Sequence, residues 1–309
     1  MHEMTLEEID EAMGAGEDLW WIYESQKLSP DQIDRAMEKE EELGYLYKYQ
    51  KLLPDQIDRA IEKGDALEWL YARQKLSPEQ IDRAIEKGGV EALRYLYEHQ
   101  KLSPEQIDRA IEKGEALGSL YWGQKLSPDQ IDRAIEKGEE LDLLYARQRL
   151  PPGQIDRAIE KGEALEHLYE YQKLSPDQID IAIKKGELLW NLYEYQKLSP
   201  GQIDRAIERG EDIDELFSYQ QILPEQIDMA IEKGVGLEFL YTSPVTSEEQ
   251  KKVILKKLNI DIEELSESPL WRSVLPTDLP KAVRIFNESI SDKIDMAPVN
   301  DLVGVYPVD

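Results

Sequence analysis

The sequence predicts an all-α solenoid of about ten stacked repeats, each with 24 residues and two short helices, followed by a helical C-terminal cap. Two observations predict this fold class. The signature Pro-x-Gln-Ile-Asp returns at a fixed spacing, and a capping serine, an apolar stripe and a glycine return with it. A fixed period of roughly 20 to 50 residues is typical of arrays whose units bury their apolar faces against their neighbours.

The repeats begin at the capping position ahead of the signature. Successive beginnings are 24 residues apart, except for one interval of 26 that holds an insertion near Gly89 and Val90. The beginnings are Thr5, Ser29, Leu53, Ser77, Ser103, Ser127, Pro151, Ser175, Ser199 and Leu223. We therefore predict a repeat domain over residues 5–241, and a C-terminal helical cap with an extended tail over residues 242–309.

The first helix of each repeat, helix A, has a well-marked start. In the repeat over residues 103–126, Ser103 is a good N-cap, Pro104 suits the first helical position, and Gln106 completes a capping box. An apolar stripe at i, i+3 and i+4 then begins at Ile107, and Gly114 ends the helix in the way a left-handed cap would. The pattern predicts about three helical turns.

The second helix, helix B, is predicted from a further stripe at Leu117, Leu120 and Tyr121. Isolated helices of this length are marginal in water, so the two stripes must be buried by stacking. Leucine-rich repeats with one strand per unit have a similar period, but their L-x-x-L-x-L-x-x-N pattern is missing. Proline and a capping box stand where that strand would lie, so the helical interpretation is favoured.

The periodicity stops after residue 241, and the remaining sequence predicts a different kind of unit. Thr246 or Ser247 can cap a helix whose Val253, Ile254 and Leu258 face inward, as expected for a unit that covers the last apolar face of a solenoid. A second helix is predicted over residues 278–294. The extended tail that follows either folds back on the repeats or acts as a short docking peptide, and the sequence leaves both alternatives open.

Units such as LSPEQIDRAIEKGEALGSLYWGQK resemble the leucine-rich-repeat-variant class of 24-residue helical solenoids. Their Ser-Pro-Glu-Gln-Ile-Asp opening is similar to degenerate helical repeats of bacterial and bacteriophage proteins. The resemblance covers residues 5–241, and it implies a right-handed superhelix of paired short helices. It carries no catalytic motif, and the high Tyr, Gln and acidic content of these units departs from the class.

Residues that stay constant along the chain are predicted to serve stacking, because each must meet the same neighbour in every repeat. The tyrosine of helix B becomes Phe217 once, so the ring matters more than the hydroxyl, and we predict a buried aromatic spine. The glutamine three residues later can accept from one backbone group and donate to another, so we predict a ladder between repeats. We assign the aspartate of helix A, for example Asp108, to capping or to bonds between repeats.

Other positions of helix B vary, and these predict a binding surface. The positions two before and two after the tyrosine are four residues apart, so they share one helical face. They are rich in Trp, Tyr, His and Arg, the residue types enriched at interaction hot spots. Random drift on a solvated surface is the alternative. The predicted partner-binding strip contains Trp21, Tyr45, Tyr49, Trp69, Arg73, Tyr95, His99, Trp122, Arg147, His167 and Tyr171.

The charge of the chain restricts its partners. The formal net charge is −28, and residues 242–309 contain 8 basic and 12 acidic side chains, so −24 of it lies in residues 1–241. Such a field repels nucleic acid and anionic lipid and favours a basic protein or peptide. The same charge would also keep a repeat protein soluble. With no cysteine, no signal-like N-terminus and no long apolar stretch, we expect a cytoplasmic protein with no membrane association and no disulfides.

The residues for catalysis are missing from the pattern. His2, His99 and His167 lie repeats apart, the recurring serines are explained as N-caps, and the carboxylates recur in equivalent places. No phosphate-binding loop or zinc spacing is present. We therefore expect no enzyme activity, no cofactor and no metal site.

Two functions remain. The first is a non-enzymatic interaction scaffold that binds a protein or peptide along the aromatic strip. The alternative is an acidic decoy that mimics nucleic acid, in the manner of a phage-encoded inhibitor of a host nucleic-acid-binding or defence protein. Salt separates them, because charge pairs are screened by ions and hydrophobic anchors are not.

Overall fold

The structure, a computed structural model, describes residues 4–15 and 19–258. These residues form 21 α-helices and no strand, which confirms the predicted all-α helical-repeat solenoid. The helices are α1 (Leu6–Ala15), α2 (Trp20–Ser25), α3 (Pro30–Lys39), α4 (Leu43–Tyr49), α5 (Pro54–Lys63), α6 (Leu67–Arg73), α7 (Pro78–Lys87), α8 (Val90–His99), α9 (Pro104–Lys113), α10 (Leu117–Gly123), α11 (Pro128–Lys137), α12 (Leu141–Arg147), α13 (Pro152–Lys161), α14 (Leu165–Tyr171), α15 (Pro176–Lys185), α16 (Leu189–Tyr195), α17 (Pro200–Arg209), α18 (Ile213–Tyr219), α19 (Pro224–Lys233), α20 (Leu237–Thr242) and α21 (Glu248–Lys257).

The first twenty helices form ten pairs, in which odd numbers are helices A and even numbers are helices B. The chain divides into two compact parts, Met1–Gln172 and Lys173–Asp309. In the first part, α2 to α14 pack in order as one row of helices B, and α5 to α13 pack in order as a row of helices A. In the second part, α16 packs on α18, and α15, α17, α19 and α21 follow one another. The boundary predicted after residue 241 stays a prediction.

The caps of helix A form as predicted. The Ser103 hydroxyl accepts from the Gln106 backbone N–H at 3.3 Å, and the Gln106 side chain accepts from the Ser103 N–H at 2.8 Å. Gly114 ends the helix in the left-handed region at φ 78°. Ala116, just before helix B, is left-handed too, at φ 54°, which the sequence did not predict. Two left-handed residues in three positions let the chain reverse between the paired helices.

The core runs between the two rows of helices. In most repeats the Ile, Ala and Ile of helix A pack with the Leu, Leu and Tyr of helix B, and the tyrosine rings from Tyr23 to Tyr193 are fully buried. The predicted aromatic spine is therefore confirmed, and Phe217 continues it as a buried ring. Burial and the charge of Asp65 raise the pKa of the Tyr47 hydroxyl to about 12.

The fourth repeat departs from the others at its insertion. Its connection uses Gly88 at φ −65° and Gly89 at φ −79°, and neither residue is left-handed. Helix α8 starts at Val90, three residues ahead of Leu93, which is the residue equivalent to the first residue of the other helices B, and it has 10 residues where most helices B have 7. The insertion thus adds one turn to the start of helix B.

The terminal helix α21 continues the 24-residue register as an eleventh helix A. Ser247 caps it with a capping box, and Gln250 donates to the Asp228 carboxylate at 2.7 Å, as the glutamines of the repeats do. Ile254 and Leu255 are buried, whereas Val253 is 48% exposed. Val253 is at the position where most repeats have the outward-facing arginine of helix A. The prediction that Val253 faces inward is therefore wrong. The predicted second helix over 278–294 and the tail lie outside the described residues.

Candidate interaction surface on helices B

The joints between helices B are closed by buried glutamine side chains, as predicted. Gln124 donates from Nε2 to the carbonyl oxygens of Tyr97 (2.6 Å) and Gln100 (2.8 Å), and its Oε1 accepts from the Leu102 N–H (3.1 Å). The same three bonds are made by Gln50, Gln74, Gln100, Gln148, Gln172 and Gln220. Each amide therefore satisfies three main-chain groups of the preceding repeat, and its burial keeps this row away from a partner.

The joints between helices A use a second glutamine, whose full role the sequence did not reveal. The Gln130 Oε1 closes the capping box of Ser127, while its Nε2 donates backwards to the Pro104 carbonyl (2.9 Å) and to the Asp108 carboxylate (2.8 Å). Arg133 pairs with the same carboxylate at 3.2 Å. The predicted role of the aspartate row in bonds between repeats is confirmed.

Hydrogen bonding affects the pKa of two of these carboxylates. The bond from Gln32, with the nearby Arg35 guanidinium, holds the pKa of Asp10 below its ordinary value. In the second part, burial would raise the pKa of Asp180, but the bonds from Gln202 and Arg205 outweigh it and lower that pKa. Both shifts favour the ionised form of the carboxylate that accepts these bonds.

The connections between helix A and helix B are self-paired as well. A basic residue at the end of helix A lies within 4.0 Å of an acidic residue of the same connection. The pairs are Lys113–Glu115, Lys137–Glu139, Lys161–Glu163, Lys185–Glu187 and Arg209–Glu211. The helix A side therefore has much of its charge already engaged.

Helices B carry large aromatic side chains that stacking leaves exposed. In the first part, Trp122 and Tyr171 are more than half exposed, at 58% and 52%. Tyr45, Tyr49 and Trp69 are also exposed, as are Arg73, His99 and Arg147. The predicted strip residues Trp21, Tyr95 and His167 are half-buried.

Four aromatic rings of the first three repeats make a continuous cluster, which we call the N-terminal aromatic cluster: Trp20, Tyr45, Tyr49 and Trp69. The Trp20 and Tyr45 ring centroids are 6.3 Å apart, and Tyr45 stacks on Tyr49 at 6.3 Å. The Lys48 ammonium lies 4.7 Å from the Tyr49 ring and 5.0 Å from the Trp69 ring, so it links α4 to α6. The cluster spans three successive helices B.

The cluster contains a tryptophan that the predicted strip does not include. Trp20 is 42% exposed and lies in the cluster, whereas Trp21 is half-buried. The prediction that Trp21 binds a partner stays a prediction. Trp190 stands at the position equivalent to Trp20 in the eighth repeat and is exposed as well.

The other strip residues of the first part form local pairs. Tyr95 stacks on His99 with centroids 6.2 Å apart, and His167 stacks on Tyr171 at the same distance. The Arg147 guanidinium lies 3.5 Å from the centre of the Trp122 ring, which joins α10 to α12. Within the described residues, no ring contact joins these pairs to the N-terminal aromatic cluster. In the second part, Trp190, Tyr195 and Tyr219 are exposed on helices B.

The described residues offer little for other kinds of site. Over 4–15 and 19–258, no group of three or more His, Asp or Glu side chains is arranged to hold a metal ion. In the same ranges, no helix combines the length and the apolar character that crossing a membrane requires. The sequence matches no protein-family model, and it shows no significant similarity to a curated protein.

Proposed function

We propose that this protein is a non-enzymatic scaffold that binds a basic protein or peptide along the exposed face of helices B. The supporting observation is the N-terminal aromatic cluster, in which ring contacts join the first two repeats and the Lys48 ammonium joins the second to Trp69 of the third, while the four rings stay exposed. The joints already have their own hydrogen bonds, so stacking does not require these rings. Exposed aromatic patches of this kind are typical of interaction sites.

The charge supports a basic partner. With −24 on residues 1–241, the field attracts a cationic protein over long distances, and the aromatic rings then supply short-range anchors. We place the protein in the cytoplasm and assign its repeats to a class similar to leucine-rich-repeat variants.

The acidic decoy remains the alternative proposal, including its phage origin. A decoy would need free carboxylates spaced along the repeats. The aspartates of helix A are engaged by glutamine and arginine in the next repeat, and several connection acids are paired with lysine. These contacts favour the scaffold.

The test compares the wild-type chain with a variant that carries Trp20→Ala, Trp69→Ala and Trp122→Ala. We expect a protein captured by the wild type from native lysate in about 0.5 M salt, where screening shortens to a few ångströms, and its loss by the variant. The matched control carries Arg35→Ala, Arg83→Ala and Arg109→Ala on helices A and should retain that protein. Equal capture by both variants would refute the aromatic face as the site, whereas loss of the captured protein in salt together with competition by duplex DNA would favour the decoy.

A further inference from the structure

The exposed face of helices B contains a cavity at the one place in the first part where the repeat pattern changes twice. The added first turn of α8 brings Val90 and Arg94 to one side. On the next helix, α10, residues 118 and 119 are Gly and Ser, where the equivalent residues of the third repeat are Glu68 and Trp69. The added turn of α8 and the small residues at 118 and 119 border a cavity of about 350 Å³, in the lower part of the range for ligand pockets. Leu143 occupies the space beside Gly118, because a Cβ there would lie 2.5 Å from its Cδ1.

The walls of this cavity combine an aromatic ring with carboxylates. Its lining includes Val90, Glu98, Ser119, Trp122, Glu140 and Leu143. The Glu140 Oε2 lies 3.4 Å from the point where a Cβ on Gly118 would stand, so this carboxylate is over the floor of the cavity. Ser119 donates to Glu98 at 2.7 Å, which fixes the second carboxylate at the rim.

The basic group that lines the cavity is in an ion pair, whereas within the described residues the carboxylates of Glu98 and Glu140 are not. Arg94 pairs with Glu91, outside the lining, at 3.3 Å. Glu140 makes no ion pair in the described part of the chain, and Glu98 keeps acceptor capacity beyond the Ser119 bond. The charge that the cavity offers to a ligand is therefore negative.

Trp122 adds an aromatic surface that already contacts one cation. Arg147 lies over this ring and does not line the cavity, so indole atoms stay open on the cavity side. A cation near an indole is attracted by the electrons of the ring face. Apolar walls at Val90 and Leu143 suit the methylene stem of a long cationic side chain.

We propose that this cavity binds one arginine or lysine side chain of the partner, with its charged head at Glu140 and Glu98 and its stem against Trp122. The inference rests on the proposed scaffold function and gives it a specificity site. It explains why the fourth and fifth repeats depart from the pattern at neighbouring positions. An acidic ligand side chain is disfavoured, since it would meet two carboxylates.

The test uses isolated side-chain probes on the full-length chain. The indole N–H resonance of Trp122, assigned from the spectrum of Trp122→Phe, is followed while N-acetyl-arginine amide or N-acetyl-lysine amide is added. We expect saturable shifts in the millimolar range with at least one of the two. N-acetyl-citrulline amide, which has nearly the same shape and no charge, should be at least about fivefold weaker, and equal shifts with citrulline would overturn the proposal.

Two variants locate the site. Ser119→Tyr fills the cavity with the residue that the equivalent positions Tyr45 and Tyr95 already carry, so the helix should accept it. Glu140→Gln removes one charge and leaves the shape unchanged. Both should weaken the cationic probe at least about fivefold, and unchanged binding in Glu140→Gln would refute the site even if Ser119→Tyr failed to fold.

The result is separable from the test of the scaffold. If the side-chain probes do not bind but the triple tryptophan variant loses the captured protein, the cavity proposal fails and the aromatic face stands. If the probes bind as expected and a variant with Trp20→Ala and Trp69→Ala, which leaves Trp122 in place, still captures the protein, the cavity stands and the N-terminal aromatic cluster is refuted.

Discussion

The helix A face and the exposed helix B face of the same repeats follow different rules. On helix A, the glutamine, aspartate and arginine rows repeat with few changes. Their glutamines and arginines bond to aspartates of the preceding repeat. On helix B, the position two after the tyrosine reads Tyr49, Arg73, His99, Gly123 and Arg147 in successive repeats. Neighbouring repeats therefore share the same residue types in the helix A rows and differ at this helix B position.

The difference teaches where to look for function in an array. A joint residue has partners in an adjacent repeat, so an isolated change leaves groups there unpaired. An exposed residue on helix B has no such obligation, and its choice is open to selection by a partner. The aromatic rings are informative because they occur where stacking does not demand them.

The largest effect should come from breaking a helix B joint. Gln124→Ala removes three hydrogen bonds and leaves two carbonyls and one N–H buried without partners. Since each such group costs about 1–3 kcal/mol, we expect a loss of about 3 kcal/mol or more in unfolding free energy, measured by urea denaturation. Hydrogen exchange of the Leu102 amide should rise with it. A loss below about 1 kcal/mol would contradict the ladder as the main tie.

A smaller effect should separate two glutamines of the helix A row. Gln130→Ala loses the bonds to Ser127, Pro104 and Asp108, and should cost about 1–2 kcal/mol. Gln154→Ala is the matched control, because the Gln154 side chain makes only a 3.5 Å contact to the Pro128 carbonyl within the described residues and its cap residue Pro151 has no N–H. The control should change stability by less than about 0.5 kcal/mol. Equal losses in urea melts would show that the joint bonds carry no weight.

The smallest effect at neutral pH should come from Tyr47→Phe. The Tyr47 hydroxyl is buried with no hydrogen-bond partner among the described residues, so we expect a change of about 1 kcal/mol or less at pH 7. At alkaline pH the unfolding free energies of Tyr47→Phe and the wild type should respond differently to pH. Because burial raises the pKa of Tyr47 to about 12, the folded state keeps a proton that the unfolded state loses above pH 10.

Stability from this group is therefore complete below pH 10 and is lost as the pH rises towards 12. Urea melts at pH 7, 10 and 11 should show a shallower alkaline decline for Tyr47→Phe than for the wild type. Parallel declines would mean that the pKa of the Tyr47 hydroxyl is the same in the folded and unfolded states.

The elements that the sequence predicted well are those set by local chemistry or by the period itself. Ser103, Pro104 and Gln106 specify a helix start within four residues, and the tyrosine spine follows from a ring recurring in every repeat. The helix B glutamine ladder was also predictable from the sequence, because a buried amide that recurs at constant spacing needs the same partners in each repeat.

The features that sequence reasoning missed depend on side-chain direction. One position on a helix turns a side chain by about 100°, so the pair Trp20–Trp21 could not be resolved on a helix of 6 residues. The backward bond of Gln130 joins positions 22 residues apart, and its forward role as a cap already explained the residue. Trp69 lies against Gly44 of the previous helix B, where a Cβ would come within 2.8 Å of the ring. The sequence near either residue does not predict this contact.

The joint between the sixth and seventh repeats has a mechanical consequence. On the helix B side, Gln172 makes all three of its ladder bonds. On the helix A side, Gln154 contributes one long contact. The other polar contact on this side of the joint in the described residues is the ion pair of Arg157 with Asp132 at 2.9 Å. This joint has more hydrogen bonds between helices B than between helices A. We therefore expect bending at this joint to separate α11 from α13 while α12 and α14 stay together. The aromatic face can thus keep its spacing when thermal or applied forces bend the protein.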